Sequence, residues 1–170
     1  MSRYLTMEKI LIINTGGTFN KVYNPLKGEL EVPKDGVAPE AILRYFYNTT
    51  FDLINLIHKD SLEMNDDDRI LMMETIERSD ASKVLIIHGT DTMDITARFL
   101  SLHVKYKVVV LTGAMVPFSI DTVEATANFS MALGSLHVRA ENGIYIAMHG
   151  LVAKHDAIYK NREKGIFLPS

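Results

Sequence analysis

Ile10-Leu11-Ile12-Ile13-Asn14-Thr15-Gly16-Gly17-Thr18 decides how this chain is read. A short, unbroken apolar run ends on a glycine pair. Such a run, with no polar alternation, suits a strand buried on both faces, as in a parallel sheet. The pattern recurs along the chain. Val84-Leu85-Ile86-Ile87-His88 closes on Gly89, Val108-Val109-Val110-Leu111-Thr112 on Gly113, and Ile144-Tyr145-Ile146-Ala147-Met148 on His149-Gly150. Phe51 to Ile57 is a weaker strand, interrupted by Asp52 and Asn55.

Helical spacing fills the gaps. Pro39 suits the first turn of a helix, followed by Ala41, Ile42, Tyr45 and Phe46. Asn65 or Asp66 caps a second helix through Ile70, Met73 and Ile76 to a basic end at Arg78. Asp91 or Thr92 caps a third, carrying Met93, Thr96, Ala97, Leu100 and Val104. Asp121 starts a long fourth through Val123, Ala127, Met131 and Leu136. This alternation predicts an α/β fold: a doubly wound, mostly parallel sheet with helices on both faces, flavodoxin- or Rossmann-like in three layers. Ligands of such sheets sit beyond the carboxyl ends of the strands, near a switch in strand order. Here that means the loops at Gly16, Ser61, Gly89, Gly113 and His149. Lys21 to Gly36, with Pro25, Gly28 and Pro33, reads as one long irregular loop, a feature often tied to function.

At 170 residues the chain suits one domain with a sizeable core. Apolar residues make up 47% and charged residues 23%, and the formal net charge is -3. That balance argues against nucleic-acid binding, which needs a basic face. Without cysteine, neither a disulfide framework nor a thiolate metal site can form. Met1 to Lys9 is mixed and charged, with no signal-peptide pattern, and no run is long enough to span a bilayer. A cytoplasmic protein is the expectation.

Two segments carry chemistry. In Asn14-Thr15-Gly16-Gly17-Thr18, the glycines permit a sharp turn and close backbone approach to a ligand. The Thr18 hydroxyl becomes a nucleophile if a base activates it. The segment lacks both the dinucleotide fingerprint and the Walker pattern; taken alone it reads as a common strand-ending turn. His88-Gly89-Thr90-Asp91-Thr92-Met93 also lies at a strand end and helix start. A helix cap needs one such residue, and three stand in a row here. His88 and His149 read more simply as hydrogen-bonded strand-end histidines than as catalysts. The methionines read as core filling. Glu63, Asp66, Asp67 and Asp68 read as an acidic helix start rather than a metal cluster.

Together, these two segments resemble the signatures of the bacterial-type L-asparaginases. Leu111-Thr112-Gly113-Ala114-Met115 with Pro117 is similar to a third family segment. Asp60-Ser61 before Met64-Asn65-Asp66 is similar to a fourth. Order and spacing agree from about Ile10 to Lys160. The resemblance implies an amidohydrolase that converts asparagine or a related carboxamide to the acid and ammonia, without metal or cofactor. It implies Thr18 as nucleophile and Thr90, Asp91 and Lys160 as a second catalytic cluster. Asp91 would bind the substrate α-amino group, and Ser61, preceded by Asp60, the α-carboxylate. Gly17 and Gly89 would line the substrate, and amides near Ala114 would help form an oxyanion hole. It also implies a homodimer or higher homo-oligomer, with no nucleic-acid or membrane partner. By composition alone, Lys160 lies in a charged stretch, Tyr159 to Lys164, and reads as a surface lysine.

The sequence departs from the family pattern in three places. Typical members continue into a smaller C-terminal domain. Residues 1–170 are therefore expected to form a single N-terminal-type domain, natural or a fragment. Leu62 stands where members often place a glutamine, a hydrogen bond to charge worth about 1–3 kcal/mol. Tyr23 is the best candidate for the family's loop tyrosine, since the alternative frame at Gly28-Glu29-Leu30 has none. The departures keep two other readings open: a carboxamide- or amino-acid-binding module with weak or no turnover, and a subunit of a larger amidotransferase.

Overall fold

A computed structural model describes residues 8–170. The N-terminal stretch read above for a targeting signal falls mostly outside the described residues. The strands are β1 (Ile10–Gly16), β2 (Val22–Asn24), β3 (Glu29–Glu31), β4 (Phe51–Lys59), β5 (Lys83–Ile87), β6 (Val108–Thr112), β7 (Gly143–Met148), β8 (Leu151–Lys154), β9 (Ile158–Asn161) and β10 (Ile166–Pro169). The helices are α1 (Val37–Leu43), α2 (Asp66–Arg78), α3 (Met93–His103) and α4 (Thr122–Val138).

The main sheet runs β4-β1-β5-β6-β7-β8. Its first five strands are parallel, and β8 turns back antiparallel to β7. Strand periodicity divides each run between two cores. Leu11, Ile13, Val84 and Ile86 face Met72 and Ile76 of α2 and Met93, Ala97 and Leu100 of α3. Ile10, Ile12, Leu85 and Ile87 face Ala38 and Ile42 of α1 and Phe129, Leu133 and Leu136 of α4. Burying each of these larger side chains contributes about 1.5–3 kcal/mol, and both faces of β1 and β5 are used. The layers are as the alternation predicts. β4 is one of the two edge strands, which explains its polar interruptions: Asp52 faces outward and pairs with Lys9.

Several details differ from the sequence reading. The stretch from Lys21 to Gly36 contains a hairpin, with Tyr23 paired to Leu30 and Gly28 at φ 71° in its turn. Strands this short carry too little pattern to detect. β9 and β10 form a second hairpin, built from the charged stretch around Lys160. α1 starts at Val37 and stops at Leu43, leaving Tyr45 and Phe46 beyond it. The Asn65 cap forms as a full capping box with Asp68. The inner face of α2 is rotated from expectation: Met72 and Ile76 are buried, while Ile70 is exposed. Arg69 is buried with them, donating through Nε to Thr96 Oγ1 at 3.2 Å and through Nη1 to Asp66 at 3.0 Å. In α4 the inner residues are Ala125, Phe129, Ala132, Leu133 and Leu136, not Val123 or Ala127. Among the described residues, no helix is long and apolar enough to cross a membrane.

Candidate active site

β4 and β5 flank β1 on opposite sides, so the strand order switches at β1. The loops after β1, β4 and β5 meet there through their glycines. A Cβ on Gly17 would stand 2.5 Å from Gly89 Cα, and one on Gly89 would stand 2.6 Å from Ser61 Cβ. Gly17 also has φ 72°, which favours glycine. Three backbone segments therefore touch where no side chain fits. Thr15 pins the end of β1 by donating its hydroxyl to the Ile87 carbonyl at 2.7 Å.

Thr18 opens the short 3-10 turn Thr18–Asn20 and is half-buried. Buried Asn20 holds this turn, donating Nδ2 to Asn14 Oδ1 at 2.8 Å and to the Gly16 carbonyl at 2.7 Å. Asn14 Nδ2 returns a bond to Asn20 Oδ1 at 2.9 Å. The loop after β6 leans on the same turn, with Phe118 N–H donating to the Phe19 carbonyl at 3.2 Å.

The second cluster forms between the start of α3 and β9. Lys160 Nζ donates to Thr90 Oγ1 at 2.9 Å and to Asp91 Oδ1 at 2.7 Å. The Lys160 side chain is only 12% exposed, so its surface-lysine reading is overturned: the hairpin folds it inward. Arg162, in the turn just after β9, donates Nη1 to Asp91 Oδ1 at 3.0 Å and Nη2 to the Asp91 carbonyl at 2.7 Å. The Lys160 hydrogen bond, opposed by partial burial and helped by both cations, holds the Asp91 carboxyl below its ordinary range. Thr90 in turn donates to Met115 Sδ at 3.3 Å.

Neither Asp91 nor Thr92 caps α3 with its side chain. Asp91 is turned to the cations, and Thr92 donates its hydroxyl to the Ser61 carbonyl at 2.8 Å. Ser61 Oγ accepts the Asp91 N–H at 3.2 Å. These two bonds fasten the loop after β4 to the Thr90 loop. Asp60 begins the Ser61 turn and pairs with Lys21 at 2.6 Å. Burial opposes its ionisation, but Lys21 and the turn amides outweigh it, so its carboxyl lies below the usual range. Leu62 points to solvent.

His88 is the hydrogen-bonded core histidine the sequence suggests. Its Nδ1 faces the Gly89 carbonyl at 2.7 Å and must donate, so Nε2 accepts from Thr96 Oγ1 at 2.8 Å. Burial lowers its pKa to about 4. Neutral His88 thus fixes the carbonyl just before Thr90. Ala114 is buried, and the next two amides, of Met115 and Val116, donate to Glu124 at 2.8 and 2.9 Å. Tyr23 stands mostly exposed on β2, outside this hydrogen-bonded cluster. Asp68 is committed to Lys59 and Asn65, and among the described residues no three His, Asp or Glu side chains group to hold a metal ion. A cavity of about 340 Å³ lies between α3 and β9, lined by Thr90, Asp94, Arg98, Lys160 and Arg162. Thr18 is not among its lining residues. The sequence reading missed Asn20, Arg162 and Glu124.

A doubly wound domain with threonine, aspartate, lysine and serine side chains gathered in strand-end loops has the arrangement in which open α/β sheets hold ligands. The family described as Asparaginase, N-terminal, matches residues 9–166, and the chain belongs to it. An L-asparaginase of Thermococcus kodakarensis is 26% identical over 145 residues, 82% of this chain and 43% of the relative. The solved thermostable L-asparaginase from that organism superposes with TM-score 0.83 at 23% identity, covering 95% of this chain and 51% of the other. A probable cytoplasmic L-asparaginase from Campylobacter jejuni superposes with TM-score 0.77 at 24% identity, covering 94% and 52%. These superpositions show a shared fold. The chain spans about half the length of the relatives it matches.

Proposed function

We propose that this domain carries an amidohydrolase site of the asparaginase type, acting on the side-chain amide of asparagine or a related carboxamide. The observation that carries the reading is Lys160 Nζ held between Thr90 Oγ1 at 2.9 Å and Asp91 Oδ1 at 2.7 Å, next to Gly89, whose backbone lies against Gly17 just before Thr18. In this reading Thr18 Oγ attacks the amide carbon as its proton is withdrawn. The nitrogen takes up a proton and leaves as ammonia, giving an ester on Thr18. Water then adds to the ester, and the acid departs with Thr18 Oγ–H restored. Thr90, hydrogen-bonded to Lys160, orients the water, whose proton ends on Thr18 Oγ as the ester bond breaks. Asp91 keeps Lys160 in place and presents a carboxylate to the substrate's ammonium group. Gly17 and Gly89 let the substrate approach the backbone, with Ser61 near its carboxylate and Ala114 near the oxyanion, the amides of Met115 and Val116 being held by Glu124. Tyr23, on its hairpin, is the candidate to close over Thr18.

The substrate is a small molecule, the reaction needs no cofactor, and the setting is cytoplasmic. A homodimer or higher homo-oligomer belongs to the same reading; light scattering that finds only monomer at high concentration would remove that part. The test of the activity is ammonia release from a panel of amides. Full turnover in Thr18→Ala would sink the proposal. A second reading, a binding module without turnover, draws on Arg162, which adds a second cation at Asp91 Oδ1, and on solvent-facing Leu62. Calorimetric binding of an amino acid or amide with no ammonia release would select it.

A further inference from the structure

His149 is the one non-glycine residue among those described with a left-handed backbone, at φ 51°. That conformation is uncommon for histidine, and surrounding bonds must hold it. Its ring is fully engaged. Nδ1 accepts the Phe167 N–H at 3.1 Å. An amide can only donate, so Nδ1 carries no proton and Nε2 does, donating to Glu124 Oε1 at 2.9 Å. The backbone N–H of His149 donates to Asn128 Oδ1 at 3.1 Å, and Asn128 Nδ2 donates to the Gly113 carbonyl at 3.0 Å.

Each arm leads to one half of the site. Glu124 accepts the amides of Met115 and Val116, and Met115 Sδ accepts the Thr90 hydroxyl. Phe167 is the register partner of Lys160 across the β9–β10 hairpin. The Phe167 N–H points out of that ladder to reach the imidazole, so the ladder's own bonds do not depend on it. The Phe167 and His149 rings also meet edge to face, with centroids 5.9 Å apart. One imidazole therefore ties the loop that holds Met115 to β10, the strand paired with the one that presents Lys160.

We propose that His149 is a positioning residue that sets where Lys160 Nζ stands relative to Thr90 and Asp91. It hydrogen-bonds neither Thr18 nor Thr90, and acts through Phe167. Its importance for turnover rests on the reading of Lys160 as part of an amidohydrolase site; the tie itself does not.

Two variants separate its bonds from its backbone. Asparagine tolerates the left-handed conformation and sets Oδ1 where Nδ1 now stands; glycine tolerates the conformation and offers no acceptor. In His149→Gly, exchange of the Phe167 amide rises about tenfold and kcat falls about tenfold, with KM held within about twofold. The exchange-protected ammonium signal of Lys160 is lost. His149→Asn restores all three to within about threefold of the parent protein. Nitrogen NMR of the parent imidazole shows the proton on Nε2. A proton on Nδ1, equal Phe167 exchange in both variants, or an unchanged Lys160 signal in His149→Gly would overturn the proposal. Raised Phe167 exchange with undiminished kcat would do the same. If the parent protein turns over no amide, the proposed activity falls, and the exchange and NMR results still decide the tie.

Discussion

Replacing Gly89 with alanine forces the loops after β4 and β5 apart. The new Cβ lands 2.6 Å from Ser61 Cβ, 2.7 Å from Ser61 Oγ and 3.0 Å from Ser61 N, where ordinary contact begins near 3.4 Å. Ser61 is 1% exposed and its Cβ and N cannot swing aside, so the loops must separate by about 1 Å. Overpacking of this kind costs about 1–3 kcal/mol. The Asp91 N–H to Ser61 Oγ bond, already 3.2 Å, is lost at that separation, and the Thr92 to Ser61 carbonyl bond is stretched. Adding about 1 kcal/mol for them gives a total near 2–4 kcal/mol. For a domain of this size that lowers Tm by about 4–16 °C. The assay is thermal unfolding by circular dichroism, paired with hydrogen exchange at the Asp91 amide. The internal control is Gly134 in α4, where a Cβ meets nothing within 4 Å. Gly134→Ala should raise stability by up to about 1 kcal/mol. A Gly89→Ala protein within 1 °C of its parent, with Asp91 still protected, would refute the argument that backbone contact locks these loops.

Three further outcomes follow from the electrostatics and the caps. His88 is neutral in the fold with its pKa lowered to about 4, while the unfolded chain titrates near 6.5. The unfolded state thus binds the extra proton first, and stability falls as pH drops from about 6.5 to about 4, by roughly 2–4 kcal/mol in all. Urea midpoints across that range should show the slope in the parent protein and lose it in His88→Gln. Lys160 is the main cause of the low Asp91 pKa, so Lys160→Met should raise that carboxyl more than Arg162→Gln in a carbon NMR titration; the reverse order would contradict the geometry. Asn65→Ala removes half of a capping box on α2 and should cost about 1 kcal/mol by denaturant unfolding.

The central strands were legible because burial on both faces leaves a mark in composition: β1, β5, β6 and β7 are continuous apolar runs. The glycines that close them marked where the loops would converge. The rest was hidden for physical reasons. β2, β3, β9 and β10 are only three or four residues long, so no period emerges. The inner face of α2 includes Arg69, whose burial depends on distant Thr96 rather than on local spacing. Lys160 illustrates the same limit. Its own neighbours are charged, and only tertiary folding of the hairpin turns it toward Thr90 and Asp91. Resemblance to a family singled it out where composition pointed to the surface. Arg162 and Glu124 escaped both routes, since one acts from the turn after a hidden strand and the other through backbone amides.

The most direct test is peptide mass spectrometry of the protein quenched during incubation with its best amide. The account predicts an acyl group derived from that amide on the peptide containing Thr18, absent in Thr18→Ala and depleted when excess water-competing hydroxylamine is added. Ammonia release with no adduct at Thr18, undiminished in Thr18→Ala, would contradict it.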